Sequence, residues 1–276
     1  MKQIKAKPDI SLITTYHQQY EADGYFIIPE CFKSPALQAL TAEVERIYQF
    51  WMSDNERDVQ QYAMVNMHGL TEAIYFQGGE CPDRERGHFF NSLVPINMIE
   101  TLSGVFGNKL YFHNTQLFFN PYKNRRKPYW HRDTQYNGKT EDVQKDYLKT
   151  LLNLHIRIPL IDEVGIELIP GTHRRWDTDK ERNVRLQLSG NENHQPLPGS
   201  KLIDLKAGDA LVFSAQMIHR GHYCKPQRLA LDLCVGKPHP DTIKYIDNKH
   251  LPLQSQIQYI NNPCWYENAI NHLDDK

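Results

Sequence analysis

Pro128-Tyr129-Trp130-His131-Arg132-Asp133 sets a histidine and an aspartate two positions apart. In extended chain, side chains alternate with period two, so His131 and Asp133 point to the same face and can grip one metal ion from one side. A third ligand must come from elsewhere. The best candidate is His219 in Ala215-Gln216-Met217-Ile218-His219-Arg220-Gly221, and Arg228 follows it. Two histidines and one carboxylate on one face of an octahedral iron leave three positions open, the arrangement used for oxygen activation. His219 lies 86 residues beyond Asp133. The site therefore requires strands distant in sequence to lie side by side, as they do in a Greek-key or jelly-roll topology.

Composition sets the frame. The chain has 276 residues, of which 40% are hydrophobic and 11% aromatic, which suits a folded core and excludes a disordered chain. A net charge of -1 advertises neither nucleic acid nor an anionic membrane as partner. No apolar run approaches the ~20 residues of a membrane span. Met1 to Asp9 carries lysines with no apolar signal core after them, so a cytoplasmic location is expected. Five cysteines (Cys31, Cys81, Cys224, Cys234, Cys264) form no CxxC pair and read as reduced structural thiols.

Helices come first and strands afterwards. Residues 11–23 read as a polar helix and Tyr25 to Pro29 as a short strand. Ser34 and Pro35 are expected to cap and open a second helix, with Leu37, Leu40, Val44 and Ile47 on its apolar face. A further helix is expected from Pro95 to Phe106. Strand patterns then cover 109–120, 151–160, 165–170, 201–205, 210–213, 217–218 and 228–235. In the second of these, Leu152, Leu154, Ile156 and Ile158 face one way, and Asn153, His155 and Arg157 the other. The expected class is mainly β: an antiparallel sandwich or barrel with helices packed outside. The pattern reads as a single domain over 1–276, with a helical part to about 108, the β core over about 109–236 and a tail over 237–276. Thr178 to Ser200 reads as a long surface insertion.

Four segments in this order resemble the phytanoyl-CoA dioxygenase family of iron(II)/2-oxoglutarate oxygenases, over roughly residues 15–236. They are Tyr20 to Pro29, the segment from Pro128 to Asp133, Gly165-Ile166-Glu167-Leu168-Ile169-Pro170-Gly171-Thr172-His173, and Ala207-Gly208-Asp209 running on to His219. The resemblance implies a double-stranded β-helix (jelly-roll) core, Fe(2+) held by His131, Asp133 and His219, and Arg228 on the distal carboxylate of 2-oxoglutarate. It also implies consumption of O2, with release of succinate and carbon dioxide. Gln116 and Asn120 correspond to positions that contact this cosubstrate. The chain departs from the family pattern at Gly221, often serine, and at Asn120, often lysine; both changes remove a polar contact. In related halogenases a small residue replaces the carboxylate ligand, so Asp133 favours hydroxylation.

Candidate substrate contacts are Trp130, Asn153, His155 and Arg157, with Tyr136 as a further wall. The basic run Lys123, Arg125, Arg126 and Lys127 reads as a solvated loop, with attraction of a phosphate- or CoA-bearing substrate as the sharper alternative. The expected partner is a small molecule. Two other functions remain open at this stage: a cupin-like metal enzyme that does not use 2-oxoglutarate, and a catalytically silent binding protein of the same fold. Arg228 argues against the first and the intact ligand triad against the second.

Overall fold

The computed structural model describes residues 10–122, 126–223 and 227–273. Lys123 and Arg125 of the basic run, and Cys224, lie outside the described residues. The first helix, α1 (Ile10–Asp23), stops at Gly24, whose φ of +85° suits glycine. A Cβ there would also sit 2.5 Å from the His173 ring. Strand β1 (Tyr25–Ile28) follows, then α2 (Ser34–Tyr62). Ser34 is already the first helical residue; Lys33 is the cap and no side chain closes it. The helix also runs well past the apolar pattern that announced it. Its second half buries only Val59, so its outward-facing residues carry no periodic signal.

After β2 (Asn66–His68) come α3 (Pro82–Leu93), α4 (Ile96–Phe106), β3 (Tyr111–Phe119) and α5 (Glu141–Thr150). Then follow β4 (Asn153–Pro159), β5 (Glu163–Leu168), α6 (Asp179–Arg185), β6 (Lys201–Leu205), β7 (Ala210–Ser214), β8 (His219–Gly221) and β9 (Leu229–Gly236). The strand expected at Met217 and Ile218 thus begins two residues later, at the metal-ligand candidate itself.

Among the described residues the strands form two antiparallel sheets. The larger runs β1-β7-β4-β9-β3-β2 and the smaller β6-β5-β8. His131 adds a bridge to His219 at the edge of the smaller sheet. Pairing of strands far apart in sequence, β3 with β9 and β5 with β8, is the jelly-roll connectivity the ligand spacing required. Helix nevertheless makes up 43% of the described residues, which a mainly β class does not account for. Exposed helical turns account for the shortfall in the sequence reading, together with α5. Its N-cap Thr140, accepting from Val143, precedes a polar run in which only Gln144 and Tyr147 are buried.

The main core lies between the larger sheet and the helices. Leu154, Ile156 and Ile158 of β4 meet Leu231, Leu233 and Val235 of β9 there, with Leu40, Val44 and Ile47 of α2. The segment after β9 belongs to this core, too. It forms α7 (Pro240–Ile243), α8 (Gln254–Ile257) and α9 (Cys264–Asn271), and it buries Trp265, Tyr266 and Ala269. Thr178 to Ser200 is likewise more than surface: Val184 and Leu197 close a small core with Trp130, Ile169 and Ile218.

Candidate metal centre

His131 and His219 are held by each other's backbone, N–H to carbonyl in both directions at 3.0 Å. Asp133 N–H donates to the carbonyl of Ala215 at 3.1 Å. These bonds bring the two ends of the site together across 86 residues of chain. Asp133 Oδ1 lies 3.6 Å from Nε2 of His131 and 3.6 Å from Nε2 of His219, a gap that two metal–ligand bonds of about 2.1 Å can span. Each histidine turns its other nitrogen, Nδ1, to a backbone carbonyl, that of Tyr129 for His131 and that of Met217 for His219. This fixes ring orientation and leaves Nε2 for an ion. Burial lowers the pKa of both, that of His219 to about 3, so each ring is neutral, as a metal ligand must be. Burial works the other way on Asp133, but the neighbouring His155, then His219 and His131, hold its carboxyl well below the usual range.

The residue between the two ligands anchors the segment. Arg132 is fully buried on the opposite face, where it donates to Asp177 and to the carbonyls of Thr172, Gln216 and Arg175. Asp177 is shared with Arg185, which also donates to Gln135. Trp130 belongs to this opposite side. It is fully buried in the small core, its indole N–H donates to Gln195 O at 2.9 Å, and Arg220 stacks over its ring. It lines neither of the two cavities that meet at Asp133, so the expected substrate contact is corrected to a packing residue.

The ligand triad opens into a cavity of about 150 Å³ between the sheets, which Gln116, His155, Arg157 and Arg228 also line. Asn120 does not reach it: β3 ends at Phe119, and Asn120 borders a separate hollow near Tyr48 on the outside. Gln116 stays on the inner face, 3.6 Å from Cys234 Sγ and accepting from Asn66 at 2.8 Å.

Two arginines share one carboxylate in this cavity. Arg157 donates to both oxygens of Glu163, at 2.5 and 3.0 Å. Arg228 Nε is 3.6 Å from the same carboxylate, and its Nη2 makes a long 3.4 Å bond to Gly165 O. Its Nη1 is buried with no hydrogen-bond partner among the described residues. Burial, then the adjacent Arg157 guanidinium, pull the Arg228 pKa down to about 10, leaving it charged. Gly221 makes room for it, since a Cβ at 221 would lie 2.9 Å from Nη2.

His155 is engaged on both sides, with Nε2 2.6 Å from Asp133 Oδ2 and Nδ1 2.9 Å from Asp232 Oδ1. Burial opposes charge on this ring, yet Asp232, Cys234 and Asp133 hold its pKa well above the ordinary value. Asn153 lines a second cavity of about 270 Å³, which meets the first at Gln116, Asp133 and His155. Tyr136 stands at the surface, its ring 5.9 Å from that of His131. Sequence reading missed Asp232 and Glu163. Asp232 stands on the Arg228 face of an otherwise apolar strand, the one signal that would have found it.

Fold and site together define a jelly-roll protein with a candidate site of two histidines and one carboxylate. A sequence model described as phytanoyl-CoA dioxygenase (PhyH) matches residues 20–225, most of the chain, and the protein belongs to that family. No curated protein matches the chain. Similar solved structures include AviO1 from Streptomyces viridochromogenes Tue57, with 16% identity and TM-score 0.54, covering 85% of this chain and 97% of AviO1. SnoN, an epimerase from nogalamycin biosynthesis solved with Fe3+, alpha ketoglutarate and nogalamycin RO, shows 16% identity and TM-score 0.53, covering 87% and 90%. EctD from S. alaskensis shows 12% identity and TM-score 0.53, covering 91% and 83%. At these identities the likeness speaks for the fold.

Proposed function

We propose that this protein is a non-haem iron(II)- and 2-oxoglutarate-dependent dioxygenase that hydroxylates an unactivated C–H bond of a small molecule. The observation that carries this reading is Arg228. A buried guanidinium without a full set of partners is costly, and the Arg157–Glu163 pair beside it leaves one positive charge in excess. A carboxylate entering the cavity would satisfy Nη1 and balance the charge through paired hydrogen bonds. A metal enzyme of this fold that did not use 2-oxoglutarate would leave Arg228 as it stands.

His131, Asp133 and His219 would hold the iron, and Gln116 lies beside them on the inner sheet face. The cavity of about 150 Å³ suits a compact dicarboxylate. Iron(II), 2-oxoglutarate and O2 supply the oxidising power, with succinate and carbon dioxide as coproducts. The chain itself orients and encloses: Arg228 binds the far carboxylate, and the neutral rings of His131 and His219 present Nε2. The buried Arg132 network holds the ligand segment still.

The substrate is assigned to the second cavity, which reaches Asp133 from the other side, between α5 and the segment after β9. Tyr147 of α5 closes it there, its hydroxyl donating to Asp241 at 2.6 Å. The ligands, this cavity and the segment that closes it form one working unit in this reading. No helix among the described residues is long and apolar enough to cross a membrane.

The test is succinate release with Fe(II) and 2-oxoglutarate, screened over a metabolite library. The reading expects slow release without substrate and marked stimulation by a narrow chemical class. Stimulation without any hydroxylated product would overturn the hydroxylase assignment.

A further inference from the structure

The two oxygens of the Asp133 carboxylate serve different neighbours. Oδ1 faces Nε2 of both His131 and His219 at 3.6 Å. Oδ2 faces away from them and lies 2.6 Å from His155 Nε2. His155 Nδ1 in turn lies 2.9 Å from Asp232 Oδ1. A carboxylate oxygen accepts, so the His155 nitrogen that faces Oδ2 is the donor of that bond. The ring is further fixed by stacking on Phe213, with centroids 5.1 Å apart and planes 19° from parallel. His155 and Asp232 both stand within strands, β4 and β9, that pair through seven successive positions. This makes a stiffer mount than the single short 3-10 turn that Asp133 opens.

We propose that His155, steered by Asp232, is a positioning residue for the metal: it occupies Oδ2 so that the Asp133 carboxylate presents Oδ1 alone to the ion. A carboxylate free to rotate would offer both oxygens and take up a position needed by cosubstrate or O2. Held from behind, it contributes one oxygen and completes a single face with His131 and His219. His155 therefore acts through Asp133 and does not touch substrate. This inference rests on the assignment of His131, Asp133 and His219 as the ligands. A competing arrangement would place a second ion at His155, Asp232 and Cys234, whose donor atoms lie within 4.8 Å of one another. It would take Nδ1 away from Asp232.

Anaerobic titration of the full chain with Co(II), followed by calorimetry and by visible absorption, tests the proposal. Wild type should bind one Co(II) per chain. H155F, which keeps an aromatic ring but no donor, should bind about ten- to a hundred-fold more weakly, with an altered Co(II) spectrum. H155Q, whose amide can still donate to Oδ2, should recover part of the affinity. I156A, on the opposite, apolar face of the same strand, should leave the Co(II) affinity of the folded protein unchanged. Should H155F fail to fold by circular dichroism, H155Q and D232N decide, each expected to weaken Co(II) binding measurably. Wild-type affinity and spectrum in a folded H155F, or in both H155Q and D232N, overturn the positioning role, as does a stoichiometry of two. Wild type that binds no Co(II) instead removes the metal assignment itself.

Discussion

The outer and inner faces of the large sheet follow opposite rules. On the outer face of β4, Leu154, Ile156 and Ile158 are apolar and packed under the helices. On the inner face, Asn153, His155 and Arg157 are polar, and the last two are almost as deeply buried. The outer face gains stability from removing apolar area from water, roughly 25 cal/mol per Å². The inner face must satisfy each polar group it buries. His155 and Arg157 achieve that with carboxylates. Arg228, beside the same Glu163 and over the same Phe118 ring, does not. The contrast sets Arg228 apart from the other charged groups of this face by its incomplete pairing.

Substitutions can break this contrast in order of expected size. Arg157→Leu should be the most damaging, because it leaves Glu163 buried beside the poorly placed Arg228. A loss of about 3–5 kcal/mol in denaturant unfolding is expected. Arg157 losing less than about 1 kcal/mol would mean that the pair is not a structural element. On the outer face, Ile156→Ala should cost about 2–5 kcal/mol through the cavity it leaves, while the folded fraction keeps its metal and cosubstrate affinity. Arg228→Ala reverses that pattern. It should raise the 2-oxoglutarate requirement about ten- to a hundred-fold, as for a charged hydrogen bond worth about 1.5–3 kcal/mol, and leave stability little changed. Unchanged 2-oxoglutarate kinetics would remove the clamp.

A further effect concerns pH and lies outside the sheet. Burial, helped by Arg174, lowers the His173 pKa to about 4. The folded state thus holds the ring neutral while the unfolded chain takes up a proton near the ordinary value of about 6.5. Stability from this site is full above about pH 6.5 and declines as pH falls toward 4. Melting temperatures of wild type and His173→Phe measured across that range should converge toward acid; a constant difference would contradict the assignment.

Much of the site was legible because period-two alternation is a strong constraint. It paired His131 with Asp133, and it put His155 and Arg157 on one face of β4. The same rule, carried through, places Trp130 with Arg132 on the side away from the candidate metal ligands, where Trp130 packs in the small core. The assignment of Asn120 failed where the strand ends, since alternation stops constraining direction at Phe119. Asp232 left one local signal, a lone carboxylate in an apolar strand, but its pairing with His155 depends on register that no local pattern contains, and Glu163 reaches Arg157 from the other sheet. The segment after β9 gave no readable pattern for a related reason: its helices are short, and α9 finds its partner on β3, far back in the chain.

The central claim is that one cavity holds a metal at His131, Asp133 and His219 and a dicarboxylate at Arg228. Anaerobic titration of the protein with iron(II) and then 2-oxoglutarate tests it most directly. The account predicts a weak visible charge-transfer band that saturates at one equivalent of each, is lost in Asp133→Ala, and needs more 2-oxoglutarate in Arg228→Ala. Iron-replete wild-type protein that shows no band, or an Asp133→Ala protein that shows it unchanged, would contradict the account.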